Sequence, residues 1–371
     1  MFRVRLNMPG QPYEWVLIFS DGTGQRGVRE DASVKNTNVF QMYVAAEGKP
    51  FLSTFYDPGL GAPEEDKKPF GWTRKLRNLW SKATGWGITG NIVDCYAGLL
   101  EHWKPGRKVG LFGFSRGAYT VRCLGGTLST CGIATRDAGK PITTDEQRRR
   151  IAAEAVAAYK IREEQPRKAA GKAFAAKYAA VAAVPDVIGV FDTVKALGLP
   201  GLMNVANPWK HEFHDNELSV RVPVGLHALS IDENRKEFLP ILWDDVDAKG
   251  IAAGQIVEQV WFPGVHSDIG GGYDDDWKLA DLTLDWMLDR LRNVAHLHIP
   301  LTVTIKDNLH GRQHDERTGL GIAWLPAQRT VRGKTADLDA LCKDIEKRYD
   351  HLSDYRPKSI GGHPRVKRYY A

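Results

Sequence analysis

At Ser115 the chain switches from one apolar period to another, and that switch constrains the fold more than any other feature. Val109-Gly110-Leu111-Phe112-Gly113-Phe114 is the continuous apolar run of a strand buried on both faces of a sheet. Past the serine, Ala118, Val121 and Leu124 recur at helical spacing. The chain must therefore turn sharply within Gly113-Phe114-Ser115-Arg116-Gly117, and glycines on both sides admit the close backbone approach that such a turn needs. The geometry exposes a serine at the end of a strand, beside the dipole-positive start of a helix. This is the G-x-S-x-G nucleophile elbow.

A serine hydroxyl is a weak nucleophile and needs a base, usually a histidine oriented by a carboxylate. With this elbow the chain order is Ser, then Asp or Glu, then His. Asp192 directly follows Val187-Ile188-Gly189-Val190-Phe191, at the strand end where open α/β sheets place their sites. Asp232 also follows an apolar segment and lies in the same interval, so it competes for the role of acid, but Asp192 follows the cleaner buried-strand run and is preferred. His266 follows Val260-Trp261-Phe262 and precedes Gly270-Gly271-Gly272, which let the backbone turn close to the centre. Backbone N–H groups of Arg116 and of the Gly22-Thr23 turn are the candidate oxyanion donors.

The rest of the chain alternates in the same way. Strand patterns at Trp15–Phe19, Phe51–Tyr56, Lys108–Phe114 and Asp186–Phe191 are separated by helical patterns at Val39–Ala46, Ile88–Trp103 and Ser115–Thr130. Further apolar segments lie at Val224–Ile231, Phe238–Trp243 and Val257–Phe262, and an amphipathic helix at Leu279–Leu291. The expected fold is α/β: a mostly parallel central sheet with helices on both faces, residues 1–371 forming one domain. Residues 136–183 form a helical insertion, with Pro166 dividing two helices, and 351–371 a basic tail.

Five sequence blocks then occur in a telling order. They are Phe19-Ser-Asp-Gly-Thr-Gly24, Gly113-Phe-Ser-Arg-Gly-Ala-Tyr119, Gly189-Val-Phe-Asp-Thr-Val194, His227-Ala-Leu-Ser-Ile-Asp-Glu-Asn-Arg235 and Trp261-Phe-Pro-Gly-Val-His-Ser-Asp-Ile-Gly-Gly-Gly-Tyr273. Over about residues 14–290 the chain resembles an α/β-hydrolase family, long catalogued as uncharacterised, that includes the catalytic domains of bacterial type VI secretion lipase effectors. The resemblance implies an esterase or phospholipase with Ser115 as nucleophile, Asp192 as orienting acid and His266 as base. The substrate it implies is a carboxylic ester, foremost an acyl ester of a phospholipid. A general esterase on soluble substrates is the alternative.

Other readings compete with this one. Gly22-Thr-Gly-Gln-Arg-Gly27 is a literal G-x-G-x-x-G, but polar Arg29-Glu30-Asp31 stand where a dinucleotide-binding helix would begin, so no cofactor is expected. His211, His214, Asp215, His310 and His314, with Asp21, Asp57 and Asp268, supply metal-ligand types for a metal-dependent hydrolase. No H-E-x-x-H is present, Gly311 disfavours a helix between His310 and His314, and no metal is expected. Four cysteines without a C-x-x-C pair read as buried or free thiols of a reducing compartment.

The charge is +6 and uneven. Residues 136–177 and the tail are basic while the remainder is acidic, which suits contact with an anionic membrane surface. Without aromatic–basic interleaving or a reader motif, nucleic acid is not an expected partner. Nothing in the sequence sets an oligomeric state. The insertion reads either as a lid facing lipid or as ordinary helical packing. The N-terminal stretch has no apolar leader core, and no run nears the ~18–20 residues of a membrane span. The expectation is a chain made in the cytoplasm, and export without a leader would leave no mark.

Overall fold

The structure, a computed structural model, describes residues 13–22, 36–59, 85–194, 218–244, 248–304, 308–318, 324–330 and 341–370. At its centre six strands pair side by side, every pair parallel. They are β1 (Trp15–Ser20), β2 (Leu52–Asp57), β3 (Lys108–Phe114), β4 (Val187–Phe191), β5 (Val224–Ser230) and β6 (Ile256–Phe262). Across the sheet their order is β2-β1-β3-β4-β5-β6. Parallel neighbours need crossovers, and helices α1 (Asn38–Ala46), α2 (Gly85–His102), α3 (Arg116–Cys131), α4 (Asp145–Tyr159), α5 (Glu164–Tyr178) and α6 (Lys278–Asn293) lie among or after them. The fold is α/β hydrolase-like.

Strand alternation sorts the apolar residues into two cores. Trp15, Leu17 and Phe19 of β1 join Val39 and Met42 of α1 and Leu284 and Met287 of α6 on one face. Val16 and Ile18 join Ile92 and Leu99 of α2 and Val121 and Leu124 of α3 on the other. Both faces are covered, which is why β1 and β3 read as unbroken apolar runs. Phe238–Trp243, the remaining apolar segment, is not a strand. A 3-10 turn at Lys236–Phe238 starts it, and the Gln259 side chain brackets Trp243 through both its N–H (2.7 Å) and its C=O (2.9 Å).

The insertion holds two helices, as its pattern predicts. Thr144 caps α4, and the break at 160–163 precedes Pro166, which sits in the first turn of α5 where its missing N–H does no harm. Ile151, Ala155, Val156, Phe174 and Tyr178 are buried in the same core as α2 and α3. Much of the basic charge is paired. Arg149 meets Asp94 at 2.8 Å, Arg150 meets Asp137 at 2.5 Å and Lys177 meets Glu154 at 2.8 Å. The basic tail is anchored as well, with Tyr355, Ile360 and Val366 in the first core and Arg365 paired with Glu346 at 2.7 Å. Cys95, Cys123, Cys131 and Cys342 are buried free thiols. Among the described residues no helix is long and apolar enough to cross a membrane.

Candidate active site

Ser115 sits between β3 and α3 at φ 59°, ψ −120°, a conformation that few L-residues adopt. Its N–H donates to Phe191 O (3.0 Å) on the neighbouring strand. The flanking glycines make the turn possible. A Cβ on Gly113 would stand 2.5 Å from Gly117 O, and one on Gly117 would stand 2.0 Å from Ser20 O. Because α3 begins at Arg116, that residue's amide belongs to the helix's first turn, at the dipole-positive end.

Adjacent strands β3 and β4 pair Phe114 with Phe191, so the residues that follow them, Ser115 and Asp192, leave the sheet side by side. Asp192 too has a positive φ (40°), held by its N–H on Ala228 O (2.8 Å). Past β6, His266 opens a short helical turn, His266–Gly270. Its Nε2 lies 2.8 Å from Ser115 Oγ and its Nδ1 2.6 Å from Asp192 Oδ2. Rings of Phe114 (4.7 Å) and Phe238 (5.0 Å) flank the imidazole. Gly270 lets Phe114 sit there, since a Cβ at 270 would come within 2.1 Å of that ring. All three side chains are buried, with Asp192 fully so.

Asp232 is not part of this chain of contacts. It accepts from Gly264 N–H (2.6 Å) and Tyr355 O–H (3.0 Å), and burial pushes its carboxyl up to about 6. Gly22 N–H donates to Asp21 Oδ1 (2.7 Å), while Thr23 and the rest of the glycine loop lie outside the described residues. So do His211, His214 and Asp215. His314 lies between Asp268 (2.6 Å) and Asp275 (2.9 Å), and His310 stacks on His351 with ring centres 3.8 Å apart. Among the described residues no group of three or more His, Cys, Asp or Glu side chains is arranged to hold a metal ion.

Motif reading did not find Arg329. Its two terminal nitrogens meet the two oxygens of Asp192 at 2.5 and 2.8 Å, and they also donate to Ser230 O (3.0 Å) and Phe238 O (2.6 Å). Burial by itself would raise Asp192. The Arg329 charge, with hydrogen bonds from His266 and Arg329, reverses that and holds the carboxyl well below the ordinary range. Nothing local in Ala327-Gln328-Arg329-Thr330 marks this role. A second buried pair was in view only as part of a motif. Arg235 grips Glu233 through Nε and an outer nitrogen (both 2.7 Å), and Glu233 accepts the His266 backbone N–H (3.2 Å). Despite burial, Arg235 holds Glu233 down to about 2.

His227, in the same motif, accepts from Thr193 N–H (3.1 Å), and burial presses it down to about 3. It is a neutral strut beside Asp192.

A parallel sheet with an elbow serine, a histidine and an aspartate at its C-terminal edge defines an α/β hydrolase-like catalytic domain. Residues 15–290 match the family model described as "T6SS, Phospholipase effector Tle1-like, catalytic domain", and the chain belongs to that family. Membership supports a lipase or phospholipase class of activity. An uncharacterised protein of Saccharomyces cerevisiae is 27% identical over 106 residues, which are 27% of this chain and 16% of that protein. The crystal structure of an uncharacterised Pseudomonas aeruginosa protein covers 78% of this chain and 46% of its own, at 17% identity and a TM-score of 0.42. The chain thus spans less than half the length of either relative.

Proposed function

We propose that this chain hydrolyses carboxylic esters through an acyl-enzyme, its substrates being acyl esters of phospholipids (phospholipase A-type cleavage). The observation that carries the reading is the continuous hydrogen-bonded relay Ser115 Oγ–His266 Nε2–Asp192 Oδ2. In the reaction His266 takes the Ser115 proton as Oγ bonds to the ester carbonyl carbon. The carbonyl oxygen becomes an oxyanion, held by the Arg116 N–H and a second donor from the Gly22-Thr23 turn, for which Thr23 is the candidate because Asp21 engages the Gly22 N–H. Collapse expels the alcohol, which receives the proton from His266. Water then attacks the acyl-enzyme, giving its proton to His266, and collapse breaks the Oγ–acyl bond, returns that proton from His266 to Ser115 Oγ and releases the fatty acid. Asp192 orients the ring and stabilises the imidazolium that forms in each half.

A fluorophosphonate probe should label the protein, with the adduct at Ser115 by peptide mapping. Phospholipid vesicles and soluble p-nitrophenyl esters should both be hydrolysed, with and without chelator. Retention of wild-type hydrolysis by Ser115→Ala would sink the mechanism. Ester activity without lipid activity would leave a general esterase, and loss with chelator would favour a metal-dependent hydrolase.

A further inference from the structure

Arg329 lies beyond residue 290, where the family match ends, yet it reaches the centre of the site. The route is a strap. Lys236 N–H donates to Leu325 O (2.8 Å), Ala327 N–H donates to Asn234 O (2.8 Å), and Trp324 packs edge-on against Phe238 at 5.6 Å. Residues 324–330 are thereby sewn to the segment that follows β5, and the guanidinium is delivered onto both oxygens of Asp192, sharing Oδ2 with the imidazole.

Both Asp192 oxygens are then fully engaged. Oδ1 accepts from Arg329 and from Ser230 N–H (3.0 Å), and Oδ2 accepts from Arg329 and His266. A fork of two parallel N–H···O bonds fixes the plane of a carboxylate far better than one bond does. Each of the two carboxylates bonded to His266 also has an arginine partner. Asp192 and Glu233 face His266 from β4 and from the loop after β5, and Arg329 and Arg235 neutralise them. His227, from β5, is kept neutral by burial, the Arg122 charge from α3 acts on His227, and Glu316 shares Arg235 with Glu233. Removing Arg329 alone would leave one buried negative charge uncompensated.

Resting on the triad reading above, we propose that Arg329 is a positioning residue of the ester-hydrolysing centre. It locks the Asp192 carboxylate in the plane that meets His266 Nδ1–H, and it prevents the Asp192–His266 pair from taking up an extra proton in the working range. An extra proton on the pair, on either residue, blocks general-base action by His266.

The test is the pH profile of kcat/KM on a soluble p-nitrophenyl ester, with the rate of fluorophosphonate labelling read alongside. For Arg329→Met we expect kcat/KM to fall about 10–100-fold, as when an outer partner of a catalytic ligand is lost. We also expect the acid limb to move up by about 1 pH unit or more, the size of shift a close opposite charge produces. Arg329→Lys, which keeps the charge without the fork, should lose kcat while its acid limb stays near the wild-type position. If Arg329→Met does not fold, Arg329→Gln against Arg329→Lys gives the same contrast of charge. An unmoved acid limb in the folded neutral variant would overturn the proposal, whatever the loss of rate. Ser115→Ala separates this failure from that of the triad: an active, unlabelled wild type with an active Ser115→Ala breaks the triad reading, whereas an inert Ser115→Ala with an unmoved acid limb breaks only the role of Arg329.

Discussion

Two sets of buried carboxylates stand at the C-terminal edge of the same sheet and behave in opposite ways. Asp192, after β4, is held low by a guanidinium despite full burial. Asp21 and Asp57, after β1 and at the end of β2, have neutral donors among the described residues. Asp21 accepts from Thr37 (2.5 Å), Tyr56 (2.8 Å) and Gly22 N–H, while Asp57 accepts from Ser20 (2.7 Å) and Asn91 (2.8 Å). Burial outweighs those bonds and pushes Asp21 up to about 7 and Asp57 to about 6. Equal burial therefore decides nothing by itself. A fixed cation makes one carboxylate a permanent anion, whereas burial with neutral donors among the described residues makes the others acids that ionise near neutrality.

The largest effect should come from the nucleophile at the permanent-anion side. Ser115→Ala should lower kcat by about four orders of magnitude or more with little change in Tm, measured by ester hydrolysis and thermal unfolding. Asp192→Asn should follow at about 10⁴-fold, because the amide favours the wrong imidazole tautomer. Asp232→Asn should cost far less kcat, since Asp232 binds Gly264 and Tyr355 and not the imidazole. Equal losses in the two variants would break the distinction between the acids.

Stability against pH sharpens the contrast. A carboxyl raised in the folded state contributes stability that is complete below its ordinary value of 3.8 and lost as pH rises through its folded value. For Asp21, Asp57 and Asp232 that loss runs through about 6 to 7. Asp192 and Glu233 have the opposite sign, their stability being present above the ordinary range and lost in acid. The Tm should therefore fall between about pH 5 and about pH 8, and fall less in Asp21→Asn. Parallel curves for the two proteins would show that Asp21 stays ionised.

The smallest effect concerns the insertion. If 136–183 meets anionic lipid, each Lys or Arg near the surface adds about 1 kcal/mol, and binding should fade as the Debye length shrinks to ~3 Å near 1 M salt. Because Arg149 and Arg150 already hold carboxylates, we expect a modest preference for anionic over neutral vesicles in co-sedimentation. Changing Arg148, Arg149 and Arg150 to Glu should abolish it. Equal binding to both vesicle types would leave α4 and α5 as a packing layer.

Much of this was legible before any coordinates. Ser115, Asp192 and His266 each follow an apolar strand run, and in the structure they lie within hydrogen-bond reach of one another. The helix pair of the insertion, the buried cysteines and the doubly covered sheet were legible too. Phe238–Trp243 was legible as an apolar segment but its shape was not, because its backbone hydrogen bonds come in part from the distant Gln259 side chain. The anchoring of the tail was not legible, because Tyr355, Ile360 and Val366 are spaced too irregularly to show a period.

By itself the sequence determined the strand-to-helix turn at Ser115, the parallel layering and the order of the candidate residues. These depend on backbone sterics and apolar period, which act over a few neighbours in the chain. Tertiary structure alone decided that Asp232 turns to Gly264 and Tyr355, that burial raises Asp21 and Asp57, and that Arg329 reaches Asp192 from 137 residues away. Electrostatics in a buried site depends on distance through space, and nothing in a local pattern records which strands become neighbours or which distant cation is packed beneath them.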